Sequence, residues 1–209
     1  MGSMDVDAAD MFLTAEELAV RRRVRERLRN WDAPDGPPQG GRAADAGRLL
    51  EDLGLAPPVA VGPMAAALAV EEISRVSPEL GRALVAGGAV PWPGASDRAA
   101  AETAWSLGAA GAACEACLER VRGAGMFDST LMGHREAQVA LGELVTDLQA
   151  ARLGAFRAVR LIERGESVRG RGELERAAAL ASRTREAALA LAAALPGPSD
   201  RPEIERSRR

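Results

Sequence analysis

Residues 141–153 read LGELVTDLQAARL, and the spacing of their apolar positions decides the fold. Leu141, Leu144, Val145, Leu148, Arg152, Phe156 and Val159 recur at intervals of three and four, the repeat of one helix face. The stripe predicts a helix from about Gly133 to Arg164. A helix of about 30 residues is ~45 Å long and cannot bury such a stripe alone. Working outward, Ser96 is predicted to cap a long helix running to about Arg122. On the other side a third helix is expected from about Gly172 to Leu195, ending before Pro196-Gly197-Pro198. Helices of this length bury their stripes by bundling or by dimerising.

The N-terminal half reads as shorter helices between strong breaks. Thr14 and Glu17 form a capping box for a helix to Arg29. Residues 31–41 read WDAPDGPPQGG, where Pro and Gly prevent a helix. A short helix from about Arg42 to Leu53 stops at Gly54. Pro63 opens a helix through Arg75, and Ser77-Pro78 caps and starts another, ending near Gly87-Gly88. No stretch alternates long enough for a convincing strand. The fold class expected is all-α, a small N-terminal helical domain packed on a bundle of long antiparallel helices.

Composition supports helices and narrows function. Apolar residues make up 47% of the chain and aromatics only 3%, with no Tyr, so close helix packing is favoured over sheet. The net charge of −3 gives no global attraction to nucleic acid or to an anionic membrane. The longest apolar run, Ala187 to Leu195, is too short to span a bilayer. Every basic residue is Arg. The dense run Arg21-Arg22-Arg23 with Arg25, Arg27 and Arg29 reads as a solvated helix face, because Glu16, Glu17 and Glu26 lie among it. Two Cys and no signal peptide point to a cytoplasmic setting.

The quoted stretch is similar to a pattern of acyl-CoA dehydrogenases, L-A-D-M-x-T-E-x-E-A-A-R-L. Upstream, Phe127 and Leu131 resemble the family's F-G-x-P-[IL] turn, and Gln138 a glutamine that follows it. Ala104, Leu107, Gly108 and Ala109 resemble its A-x-A-L-G-x-A run. Leu13-Thr14-Ala15-Glu16-Glu17 looks like its L-T-E-E opening, and Leu53-Gly54-Leu55 its E-L-G-L turn. Residues 69–78 are similar to its V-x-E-E-L-A-R-x-S stretch. The matches cover most of residues 13–195 in family order. The resemblance implies this organisation: a tag remnant and disordered N-terminus over 1–12, an N-terminal helical domain over 13–90, a linker at 91–95 in place of the family's β domain, a C-terminal helical bundle over 96–196, and a flexible tail over 197–209.

The departures from the family pattern bear on activity. Pro91-Trp92-Pro93-Gly94 is too short to be the domain that covers the flavin. The family's R-x-Q-F turn, whose Arg and Gln contact the flavin diphosphate, reads Ala124-Gly125-Met126-Phe127. The family's catalytic Glu, in a Y-E-G-T-like segment or early in the first long helix, has no counterpart here. Counting back from Phe127 reaches Arg98. Removing an α-proton from a thioester needs a placed carboxylate and a flavin to take the hydride. No catalytic residue is assigned, no cofactor is expected for the chain alone, and FAD is expected only in complex with a partner.

Three readings of function stay open. One is a non-catalytic or half-site subunit partnering a full-length acyl-CoA dehydrogenase. The second is a cofactor-free small-molecule-binding protein or repurposed enzyme, such as a cyclase or isomerase on a hydrophobic acyl or polyketide-like intermediate. The third is an atypical FAD-dependent acyl-CoA dehydrogenase. Self-association is expected, as a homo-oligomer or with an acyl-CoA dehydrogenase homologue. A hydrophobic acyl ligand would meet Arg98, Trp92 and Trp105, although Trp105 also reads as core and Arg98 as a surface residue. Cys114 and Cys117 fall mid-helix and read as buried packing, since no second pair exists to complete a metal site. His134 reads as a helix-entry residue. The pairs Glu71/Glu72 and Glu115/Glu119 read as solvated.

Overall fold

The computed structural model describes residues 11–29, 42–54, 62–86, 94–123, 125–126, 129–130 and 135–195. Seven helices account for nearly all of them: α1 (Ala15–Arg29), α2 (Arg42–Asp52), α3 (Pro63–Val76), α4 (Pro78–Ala86), α5 (Ala95–Gly123), α6 (Arg135–Glu163) and α7 (Ser167–Ala194). The fold is all-α, as the sequence leads one to expect. The one β feature among the described residues is a two-residue ladder between α5 and α6, β1 (Gly125–Met126) against β2 (Ser129–Thr130), paired antiparallel. It adds no layer.

Local chemistry sets the helix ends. At the start of α1, Thr14 N–H donates to Glu17 Oε2 at 2.7 Å and Glu17 N–H to Thr14 Oγ1 at 3.3 Å. This is the reciprocal capping box that the sequence shows. Gly54 follows α2 with φ 64°, the left-handed conformation that suits glycine. Ser77 caps α4, its Oγ accepting from Leu80 N–H at 3.3 Å. Two starts differ from expectation. α5 opens at Ala95, with Gly94 C=O taking Arg98 N–H, so Ser96 lies inside the first turn. α7 opens at Ser167, five residues before the expected Gly172. The break between α6 and α7 is set instead by Gly165, at φ 87°. Gly170 sits within α7, where its missing side chain lets the helix close against Ala158 and Ile162 of α6.

α5, α6 and α7 form the bundle. Thr103 Oγ1 on α5 donates to Leu174 C=O on α7 at 3.4 Å, and Arg120 Nη2 to Leu195 C=O at 3.2 Å. Both residue numbers rise together, so α5 and α7 run parallel with α6 antiparallel to them. Leu107, Ala110, Cys117 and Val121 of α5 pack with Leu148, Phe156 and Val159 of α6 and with Leu174, Ala181 and Ala188 of α7. The α6 stripe is narrower than the sequence implies. Leu144, Leu148, Arg152, Phe156 and Val159 are buried, but Val145 is 53% exposed. The buried line runs 144–148–151–155–158, and Val145 lies a full 100° from its start.

α3 is the centre of the molecule. Every residue from Met64 to Ser74 is buried. Met64 and Leu68 join the bundle core, while Ala69 and Ile73 pack with Val24 and Leu28 of α1, Leu49 of α2, Leu53 just after it, and Leu80 and Leu84 of α4. The N-terminal helices therefore sit directly on the bundle through one shared helix. The start of the linker, residues 91–93, the N-terminal segment before Met11 and the tail from 196 lie outside the described residues.

The small residues of α5 allow close crossing, as expected from its Ala and Gly content. A Cβ at Gly108 would stand 2.5 Å from Ser74 Cβ and nearer still to the Glu71 carbonyl oxygen. A Cβ at Gly81 on α4 would meet the same Ser74 side chain. Ser74 is thus wedged between two glycines, its Oγ turned back to Val70 C=O at 2.6 Å.

Candidate functional site

Charge is buried where α1, α3 and α6 meet. Arg21 is 1% exposed, Glu71 1%, Glu72 3% and Arg152 3%. These values overturn two sequence readings. Glu71/Glu72 is not a solvated pair, and Arg21 is not part of a solvated face, although Arg22, Arg23, Arg27 and Arg29 are exposed. The physical reason lies in α3. A helix apolar on nearly every side is enclosed on every side, so carboxylates within it are enclosed too.

Buried charges persist only when paired and hydrogen-bonded, and these are. Glu72 Oε1 accepts from Arg21 Nε at 2.6 Å and from Arg25 Nη2 at 2.8 Å. Glu71 Oε1 accepts from Arg152 Nε at 2.6 Å, with Arg21 Nη2 4.0 Å away. One carboxylate thus ties α3 to α1, and its neighbour ties α3 to α6. Arg75, one turn on, is paired with Glu115 of α5. Glu17 of the capping box is paired with Arg160 of α6, a second bridge from α1 to the bundle.

Glu72 titrates below the usual carboxylate range. Burial by itself pushes its pKa up, but the hydrogen bond from Arg25 and the charges of Arg21 and Arg25 together outweigh that. The ionised form is therefore the one that folding favours. A carboxyl whose folded pKa is depressed adds stability above its unfolded value, near 4.5, and loses it as pH falls through the folded value. Thermal midpoints measured from pH 7 down to pH 3 are expected to fall most steeply below about pH 4.5. Glu72→Gln is expected to start lower and fall less steeply. A slope unchanged by the substitution would assign acid sensitivity to other carboxylates.

The sequence-derived candidates are scattered. Arg98 stands exposed in the first turn of α5, its Nε donating to Glu102 Oε1 at 3.1 Å. Trp105 is half-buried and anchored to α4, with Nε1–H donating to Pro78 C=O at 2.9 Å and the Arg82 guanidinium 4.6 Å from the ring centre. Its ring packs with Ala67, Val70, Val85, Ala101 and Ala104, and its edge reaches a small cleft of about 130 Å³ shared with Ser182, Arg185 and Leu189 of α7. Trp92 and His134 lie outside the described residues.

Cys114 and Cys117 are buried and free, as their mid-helix position suggests. Burial pushes the Cys114 pKa up to about 11, helped by Cys117 and Glu115. Since the thiolate is the reactive form, Ellman's reagent at pH 8 is expected to modify the native protein at least ten times more slowly than the urea-unfolded chain. Equal rates would mean that α5 opens readily. No cluster of three or more His, Cys, Asp or Glu suited to a metal ion occurs among the described residues. None of the described helices is long and apolar enough to cross a membrane.

A charged cleft of about 300 Å³ is lined by Arg25, Leu28 and Arg29 of α1, Glu72, Arg75 and Val76 of α3, and Glu115 of α5. Sequence reading missed it because it treated its carboxylates and arginines as independent surface charges. One signal was available: Arg152 occupies a position in an otherwise apolar stripe, and a guanidinium there requires a buried carboxylate.

No curated protein and no solved structure matches the chain. The family model of the acyl-CoA dehydrogenase C-terminal domain matches residues 97–199, which span α5, α6 and α7. Over the bundle, therefore, this chain is acyl-CoA dehydrogenase-like.

Proposed function

We propose that this chain is a degenerate acyl-CoA dehydrogenase-like protein that serves as a non-catalytic or half-site subunit beside a full-length acyl-CoA dehydrogenase. The observation that carries this reading is the state of its buried carboxylates. Abstracting an α-proton requires a carboxylate free to face the substrate. Glu71 and Glu72 are the fully buried carboxylates among the described residues, and both are held by guanidinium groups. They act as bolts between helices and are occupied as acceptors.

Residue types at the turn after α5 support the same reading. Residues 124–127 are Ala, Gly, Met and Phe, with no cation or amide to meet a flavin diphosphate. These residues do not fit the flavin diphosphate. α4 ends at Ala86 and α5 begins at Ala95, which leaves no room between them for a flavin-covering domain. A flavin in the assembly takes its polar contacts from the partner.

The test is the visible absorption spectrum of the purified protein, alone and after co-expression with a full-length homologue. Flavin in a joint complex and none in the protein alone supports the subunit reading. A stoichiometric flavin band in the protein alone overturns it. So does failure of the two chains to co-purify.

A further inference from the structure

Arg29, at the end of the α1 arginine run, has no part in the proposed subunit role. Arg22, Arg25 and Arg29 recur at i, i+3 and i+7, so they share one side of the helix. Two of them, Arg25 and Arg29, border the 300 Å³ cleft, facing Arg75 and Val76 of α3. Leu28 and Val76 supply its apolar surface. Val76 is 56% exposed, although it is an apolar residue at the end of the most enclosed helix.

The charges around the cleft are unequal. Glu72 is shared by Arg21 and Arg25, Glu71 is held by Arg152, and Glu115 is held by Arg75. Among the residues that line the cleft, three guanidiniums, Arg25, Arg29 and Arg75, meet two carboxylates, Glu72 and Glu115, a surplus of one positive charge. Glu26 follows Arg25 along α1 but is not part of the lining. The surplus charge lies next to the apolar surface of Leu28 and Val76.

That balance favours a monoanion with an apolar body over a dianion. A carboxylate is planar and matches the fork of N–H donors that a guanidinium presents. Arg25 spends its Nη2 on Glu72, which fixes its position and leaves other N–H groups to donate. We propose that this cleft binds a small organic monocarboxylate, with Arg25 and Arg29 on the carboxylate and Leu28 and Val76 against the apolar part. The proposal does not rest on the subunit reading.

The test is a titration of the full chain at pH 7.5 and fixed ionic strength with benzoate, acetate, benzyl alcohol and inorganic phosphate. Isothermal calorimetry and the thermal midpoint are the readouts. Benzoate is expected to bind saturably, acetate more weakly, and benzyl alcohol not at all. Arg29→Gln is expected to weaken benzoate binding about tenfold, the cost of losing one charge-assisted hydrogen bond, while the unliganded thermal midpoint stays unchanged. Val76→Asp is expected to abolish binding. The proposal is overturned if benzoate does not saturate, if both variants bind it like the parent, or if phosphate binds more tightly than benzoate.

Discussion

Arg152→Met is expected to lower the free energy of unfolding by about 3–5 kcal/mol. The substitution keeps the aliphatic stem and removes the guanidinium. Glu71 then remains buried with its nearest cation, Arg21 Nη2, 4.0 Å away and Arg21 already committed to Glu72. Most of the loss comes from the stranded carboxylate, not from the missing attraction. The double variant Arg152→Met/Glu71→Met, which removes both charges at similar volume, is therefore expected to recover most of the stability. Urea denaturation of the parent, the two single variants and the double variant gives the four midpoints needed. A single variant within about 1 kcal/mol of the parent would show that Arg21 serves both carboxylates.

Gly108→Val is the second large expected effect, a loss of about 3 kcal/mol or more. Added methylenes in a tight core cost about 1–3 kcal/mol when neighbours can shift. Here the nearest atom to a new Cβ is the Glu71 carbonyl oxygen, followed by Ser74 Cβ and the Arg75 backbone nitrogen. Backbone cannot rotate away, so relief requires α3 and α5 to separate. That separation would also pull Glu71 from Arg152. Gly108→Ala gains about 1 kcal/mol of helix propensity and is still expected to destabilise. The control is Gly142→Ala on α6, where nothing lies within 4 Å of a new Cβ. That change is expected to stabilise by roughly 0.5–1 kcal/mol, because only propensity is at work. Thermal midpoints moving in the same direction for positions 108 and 142 would refute the steric argument.

The sequence shows the helices well because their signals are local. The Thr14–Glu17 box, the Ser77-Pro78 start and the left-handed Gly54 each need only neighbours within a few positions, and all three hold. The start of α7 was misplaced because Gly172 and Gly165 look alike in sequence. Only the contact of Gly170 with α6 shows which glycine breaks the chain and which lets two helices touch. The charge network was missed for a related reason. Its pairs join residues 51 and 81 positions apart, Arg21 to Glu72 and Arg152 to Glu71. No spacing rule reaches that far. The stripe position of Arg152 and the enclosure of α3 were both legible singly, and their combination would have located the pair. Arg98 is a candidate by family position and Trp105 as a possible liner of a ligand cavity. The structure places them as a surface ion-pair member and an anchor to α4, and brings neither to the charged cleft.

Joining helices with guanidinium groups alone makes this molecule one-sided towards protons. The chain contains no Lys and no Tyr, the residues that ordinarily discharge between pH 9 and 11. Arginine keeps its charge throughout that range, and the Cys114 thiol holds its proton to about 11. Acid attacks the bolts by neutralising carboxylates, whereas alkali finds almost nothing to titrate. Electrophoretic mobility should therefore lie nearly flat from about pH 8.5 to 10.5, a plateau that a lysine-bearing protein of the same size would not show.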